Sequence, residues 1–223
     1  MVMKPVIMLP SSLAAQIKAD NAALFDAALR HPFVQGIGNG SLPKAHFTRW
    51  IVQDWLYLQS YLHTLQQASQ LAPDPSARQF WQDLVRLTQE EELDLHRGLA
   101  TQFGLSQADL DNATPYSATT DYAQTLQSAN GNYPAIVATL TPCAVGYAMI
   151  ARHLQTQDAC TDPDYRAWIN TYTDAAFQTA VAQFEVEIDR YGQSKKDRIV
   201  IQRAYTKAAE CEVNFWQSLW LGQ

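Results

Sequence analysis

Apolar residues recur along this chain at three- and four-residue intervals, stretch after stretch, and that spacing leaves room for little besides helices. Leu13, Ile17, Leu24 and Ala28 open the pattern, with Ser11 and Ser12 as candidate N-caps and His31-Pro32 as its stop. Residues 33–40, with Gly36, Gly38 and Gly40, read as a turn. Ser41 then heads a second helix with Pro43 in its first turn, and its inner stripe is Phe47, Trp50, Ile51, Asp54, Leu58, Tyr61, Leu62 and Leu65. A third helix spans 77–103 and is closed by Gly104; Phe80, Leu84, Leu87, Glu91, Leu95 and Leu99 point inward, with Glu92 and His96 flanking them. A loop at 106–115 comes next, then a helix over 116–129 and a turn at 130–132. The last three helices carry Cys143, cover 164–191 and cover 195–221, and the polar stretch 157–163 with Cys160 reads as an exposed loop. No segment alternates with the period of a strand. The expectation is an all-α chain, one domain over 1–223, with about seven helices packed as a bundle.

Composition narrows what such a bundle does. Hydrophobic residues make up 47% and charged residues 17%, the balance of a folded globular chain. A formal charge of -6 argues against nucleic acid or an anionic membrane as the main partner. Three cysteines (Cys143, Cys160 and Cys211) are too few and too odd in number for a disulfide framework and point to reduced thiols in a cytoplasm. The first ten residues carry one positive charge and a short, proline-broken apolar run, which does not suit a secretory signal.

Three helices each set one reactive group inside an otherwise apolar stripe: Asp54, Cys143 and Glu212. Pro142, beside Cys143, removes a backbone hydrogen bond in mid-helix, which a purely structural helix has little reason to accept. Tyr57, Tyr147 and Tyr172 also fall on inner faces, and no lysine or arginine shares these stripes. Burying an unpaired carboxylate costs several kcal/mol, so each acid must be protonated, paired or turned to a polar ligand. The pattern points to a lined pocket suited to a ligand with amino or ring nitrogens. Glu212 fits as a protonated acid, and Cys143 as a thiol activated by a hydrogen bond such as one from Tyr57. Cys211 lies about 100° round its helix from Glu212 and reads as packing.

Several motifs, in this order, resemble the TenA (thiaminase II) family of the TENA/THI-4/PqqC group: residues 31–38 (HPFVQGIG), Val52-Gln53-Asp54, Pro142-Cys143, Gly146-Tyr147, and Glu212 with Phe215-Trp216. The cysteine places the resemblance in the branch with a nucleophilic thiol. It implies a heme-oxygenase-like helical fold, a homotetramer and no cofactor. The implied activity is hydrolysis of 4-amino-5-aminomethyl-2-methylpyrimidine to the hydroxymethylpyrimidine in thiamin salvage, with thiamin itself cleaved more slowly. Carried over residue by residue, Cys143 is the nucleophile, Glu212 protonates a ring nitrogen, Asp54 holds the aminopyrimidine edge and Tyr57 assists the thiol. Tyr122, Tyr147 and Tyr172 complete the substrate site. The chain departs from the family at Ala144 and Val145, where aromatics are common, at Thr173-Asp174-Ala175-Ala176, and at Asn39.

Two other functions share some of these features. Glu92 and His96, one turn apart, resemble half of a di-iron site, or else form a buried acid–histidine pair. A protein that binds a pyrimidine without turning it over would need Asp54 and the tyrosines but not Cys143 with Glu212.

Overall fold

The computed structural model describes residues 12–223, and among these every regular element is helical. The elements are α1 (Leu13–Asp20), α2 (Ala22–Leu29), α3 (Pro32–Asn39), α4 (Lys44–Leu71), α5 (Pro75–Leu87), a π-helical turn (Thr88–Glu92), α6 (Leu93–Gln102), α7 (Gln107–Asp111), α8 (Ser117–Ser128), α9 (Tyr133–Gln157), α10 (Pro163–Thr173), α11 (Ala175–Tyr191) and α12 (Lys195–Leu221). The architecture is all-α. The expectations for Ser11 and for the side chain of Glu91 lie outside the described residues.

The expected count of about seven is exceeded because polar residues break long periodic stretches without disturbing their stripes. Asn21 ends α1, its side-chain amide donating to the Ile17 carbonyl at 2.8 Å. Asp174 ends α10 and caps α11 by accepting from the Ala176 amide at 2.8 Å. Ser106 and Asp109 form a reciprocal capping box that makes a short helix inside the expected 106–115 loop. Pro43, not Ser41, is the N-cap residue of α4.

The expected turn at 33–40 is instead helix α3, started by the His31 ring, which accepts from the Phe33 amide at 3.2 Å, and by Pro32 in the first turn. Its glycines serve close packing. A Cβ on Gly36 would stand 3.0–3.2 Å from the backbone and Cβ of Leu42, and only Gly40, with φ of 76°, terminates the helix. Backbone cannot step aside as a side-chain tip can, so Gly36→Ala is expected to cost about 1–2 kcal/mol by overpacking. A drop of several degrees in melting temperature checks this, and an unchanged midpoint would contradict it.

Helix α9 lies at the centre, packed against α12, α10, α11, α4, α2 and α3. It is long and apolar enough to cross a membrane, with a mean hydropathy of 1.6 over its most apolar window, but 83% of that window is buried inside the fold. Helix α9 runs through Pro142, with the Thr139 and Thr141 hydroxyls donating to the Ala135 and Val137 carbonyls. Cys160 is not exposed as expected: it is 5% accessible and packs in the core, while Asp158, Ala159 and Thr161 around it stay exposed. Cys211 packs in the core against the Thr125 hydroxyl, 3.5 Å away.

Candidate active site

A hollow of about 450 Å³ opens between α4, the π-turn, α9, α10 and α11, within the range of small-molecule sites. Its polar part is formed by Asp54, Tyr57, Tyr61, Glu92, Cys143, Tyr147 and Tyr172. Leu65, Leu84, Leu87, Val181 and Phe184 form an apolar lobe. The local cause on α4 is spacing: Asp54, Tyr57, Leu58, Tyr61 and Leu65 recur at three or four residues and share one face. Cys143 and Tyr147 are likewise one turn apart on α9. Among the described residues, no lysine or arginine lines the hollow.

Asp54 is buried, with one partner on each carboxylate oxygen. His96 Nε2 stands 2.8 Å from its Oδ2, and the Tyr147 hydroxyl donates to Oδ1 at 3.2 Å while accepting from Trp50 Nε1 at 3.1 Å. Burial works against a charged His96, yet Asp54 outweighs it and raises the imidazole's pKa. His96 Nδ1 lies 2.9 Å from the Glu92 carbonyl oxygen. Both ring nitrogens therefore face an oxygen, and His96 sits against Asp54 rather than the Glu92 carboxylate.

Glu212 does not itself line the hollow. It adjoins Cys143, close enough that each shifts the other's pKa, and its Oε1 accepts from the Tyr122 hydroxyl at 2.7 Å. Burial, reinforced by Asp54, pushes the Glu212 carboxyl up to about 7 against the pull of Tyr122 and Cys143. The Cys143 thiol is driven well above its usual range by burial and then by Glu212, with Tyr57 acting in the opposite direction. The resting sulfur is thus a protonated thiol beside an acid poised near neutrality, and the buried Tyr57 hydroxyl beside it has no well-formed hydrogen bond among the described residues. Tyr122 likewise does not line the hollow, its ring 4.6 Å from that of Tyr57. The Tyr172 hydroxyl is a second buried group with no partner. Two unspent phenols at a hollow are what a polar ligand would satisfy.

The expected stripe of the third helix is displaced. Downstream of the π-turn the buried residues are Leu93, His96 and Ala100, whereas Leu95 and Leu99 are only half-buried. A π-turn accommodates an extra residue, rotating the downstream helix by about 100°. That rotation carries His96 onto Asp54 and Glu92 into the hollow. The only trace in the sequence is a pair of polar residues flanking an apolar stripe, which does not reveal the shift.

A family model described as TENA/THI-4/PQQC matches residues 19–221. The chain belongs to the TENA/THI-4/PQQC family. Within it, the chain is 28% identical over 211 residues to an aminopyrimidine aminohydrolase of Halalkalibacterium halodurans, covering 92% of this chain and 94% of that protein. The fold of this TENA/THI-4/PQQC member superposes on a TenA homologue of P. horikoshii OT3 with a TM-score of 0.88 at 24% identity, over 95% of this chain and 100% of the other. Heme oxygenase-1 of the cyanobacterium Synechocystis aligns at a TM-score of 0.68 and 12% identity, over 93% and 92% of the two chains, so the bundle is heme-oxygenase-like.

Proposed function

We infer that this chain is a hydrolase of thiamin salvage, an aminopyrimidine aminohydrolase converting 4-amino-5-aminomethyl-2-methylpyrimidine to its 5-hydroxymethyl counterpart. The observation that carries the reading is the contact of Cys143 with Glu212 at the wall of an aromatic hollow that also presents Asp54. Cys143, Glu212, Asp54, Tyr57, Tyr122, Tyr147 and Tyr172 are the proposed site.

Asp54, held by His96 and Tyr147, is an acceptor with fixed direction for the amino edge of the ring. The Cys143 sulfur bonds to a ring carbon as Glu212 delivers a proton to the ring nitrogen, and the thiol proton passes to the Glu212 carboxylate. The enamine so formed expels the amine from the exocyclic methylene, water adds there, and reversal of the first step restores the aromatic ring and the thiol. Tyr57 opposes the burial that keeps the sulfur protonated, and Tyr122 orients Glu212. No step calls for a cofactor. The resemblance also implies that thiamin itself is cleaved, more slowly. The proposal extends to one domain over 1–223, a cytoplasmic location and a homotetramer, supported by the resemblance and by the acidic, thiol-containing composition.

Purified protein incubated with the aminopyrimidine, its N-formyl derivative and thiamin is expected to consume the free amine fastest, as followed by chromatography. Consumption of none of the three would overturn the reading. Asp54→Asn keeps the shape of the side chain but removes its charge, and is expected to weaken binding of the hydroxymethyl product by about 2 kcal/mol. Calorimetry measures this directly, and wild-type affinity would remove Asp54 from the binding edge.

A further inference from the structure

We propose that Glu92 is an anionic subsite holding a cationic side arm on the pyrimidine, so that a ring bearing an ammonium arm binds in preference to its neutral counterpart. The proposal deepens the aminohydrolase reading and rests on it.

Glu92 is the acid that the hollow leaves unmatched. Asp54 is paired with His96 and Tyr147, and Glu212 with Tyr122 and Cys143. Asp174 also lines the hollow, but it is exposed and caps α11. Among the described residues, the Glu92 carboxylate accepts no hydrogen bond, although it lines the hollow within electrostatic reach of Cys143, Tyr61 and Tyr172. Burial raises its pKa to about 7, against the pull of His96. A carboxyl held so, with no lysine or arginine among the described residues lining the hollow, is satisfied by an incoming cation, and the neighbouring tyrosine rings favour one too.

The backbone supplies an independent observation. Helix α5 passes into α6 through the π-turn that ends at Glu92, and that turn is what aims the residue inward. An insertion of this kind costs regular hydrogen bonding and is found most often where a side chain must be re-aimed at a site.

The chemistry gives the charge a use. A primary amine on a ring-bound methylene is mostly ammonium at neutral pH. When its carbon–nitrogen bond breaks, the electron pair stays on nitrogen and neutral ammonia departs without a further proton. Glu92 would bind the form of the arm that is ready to leave and lose its counter-charge once the arm is gone, favouring release of the neutral alcohol.

The test uses the full chain carrying Cys143→Ser, so that the amine is not consumed. Calorimetry compares 4-amino-5-aminomethyl-2-methylpyrimidine with 4-amino-5-hydroxymethyl-2-methylpyrimidine. The amine is expected to bind at least about tenfold more tightly, in line with a charge-assisted contact. Adding Glu92→Gln should abolish that preference while changing alcohol affinity less than twofold, and Glu92→Asp should retain part of it. Melting curves confirm that each variant is folded. Survival of the preference in Glu92→Gln, or equal loss for both ligands, would overturn the proposal. A wild-type protein that binds the amine with this preference yet never consumes it would sink the hydrolase reading and leave the subsite standing. Failure to bind either pyrimidine would sink both.

Discussion

Cys143→Ala is expected to lower hydrolysis of the aminopyrimidine by at least about a thousandfold, because no other thiol lines the hollow among the described residues to form the ring adduct. Cys143 is half-buried at the hollow's wall, where the thiol touches open space as well as core. Losing one sulfur there should move the melting temperature little, in contrast to a large-to-small change in a filled core. Binding of the hydroxymethyl product should persist, which separates a chemical defect from a structural one. A rate undiminished in single-turnover measurements would refute the covalent scheme. Serine in the same place tests the chemistry more narrowly, since its oxygen fits the space but is a far poorer nucleophile without a base.

Glu212→Gln should act in opposite directions on rate and on stability. The carboxyl sits at about 7 instead of the usual 4.5, and burial is the main cause. A group whose folded pKa is raised contributes most below its unfolded pKa and loses that contribution as pH climbs through the folded one. The window here is therefore about pH 4.5 to 7. Above it the wild-type fold carries a penalty of about 3 kcal/mol, which glutamine removes while giving up part of the Tyr122 hydrogen bond. The variant should thus be about 2 kcal/mol more stable at pH 8 and gain nothing at pH 4, as thermal melts across that range would read. Its kcat should fall at least about a hundredfold with the loss of the proton donor. Wild-type kcat should decline above pH 7 as the acid ionises, a limb absent from the variant. Alkylation of Cys143 by a small neutral reagent at pH 8 should become faster, because Glu212 is among the groups that hold the thiol's pKa up. A Glu212→Gln protein that is no more stable at pH 8 and turns over at the wild-type rate would place the acid outside the chemistry.

Much of the site is legible in the sequence because its residues contradict their own stripes. Periodicity alone puts Asp54, Cys143, Tyr147 and Tyr172 on inner faces, and they share one hollow. It finds Glu212 in the same way, yet periodicity has no depth: it marks the inner face of α12 without saying that the acid adjoins Cys143. Tyr122, which the resemblance assigns to the substrate site, gives its hydroxyl to Glu212, a pairing that spacing along the chain does not announce. The Asp54–His96 pair escapes sequence reasoning because it depends on a rotation between α5 and α6 that no residue type announces.

The sequence by itself determined that the chain is helical, which face of most helices is buried, where most of them begin and end, and which chemical groups are misfits there. These are properties of a few neighbouring residues, set by a period of 3.6, by caps and by proline. Only the tertiary structure decided that residues 32–39 are helix instead of turn, that a π-turn re-aims Glu92 and His96, and which acid meets which partner. Glycine in α3 is explained only by Leu42 packed against it, and a wide helical turn persists only when neighbouring helices hold it. Those energies arise between segments far apart in the chain, where local spacing carries no record of them.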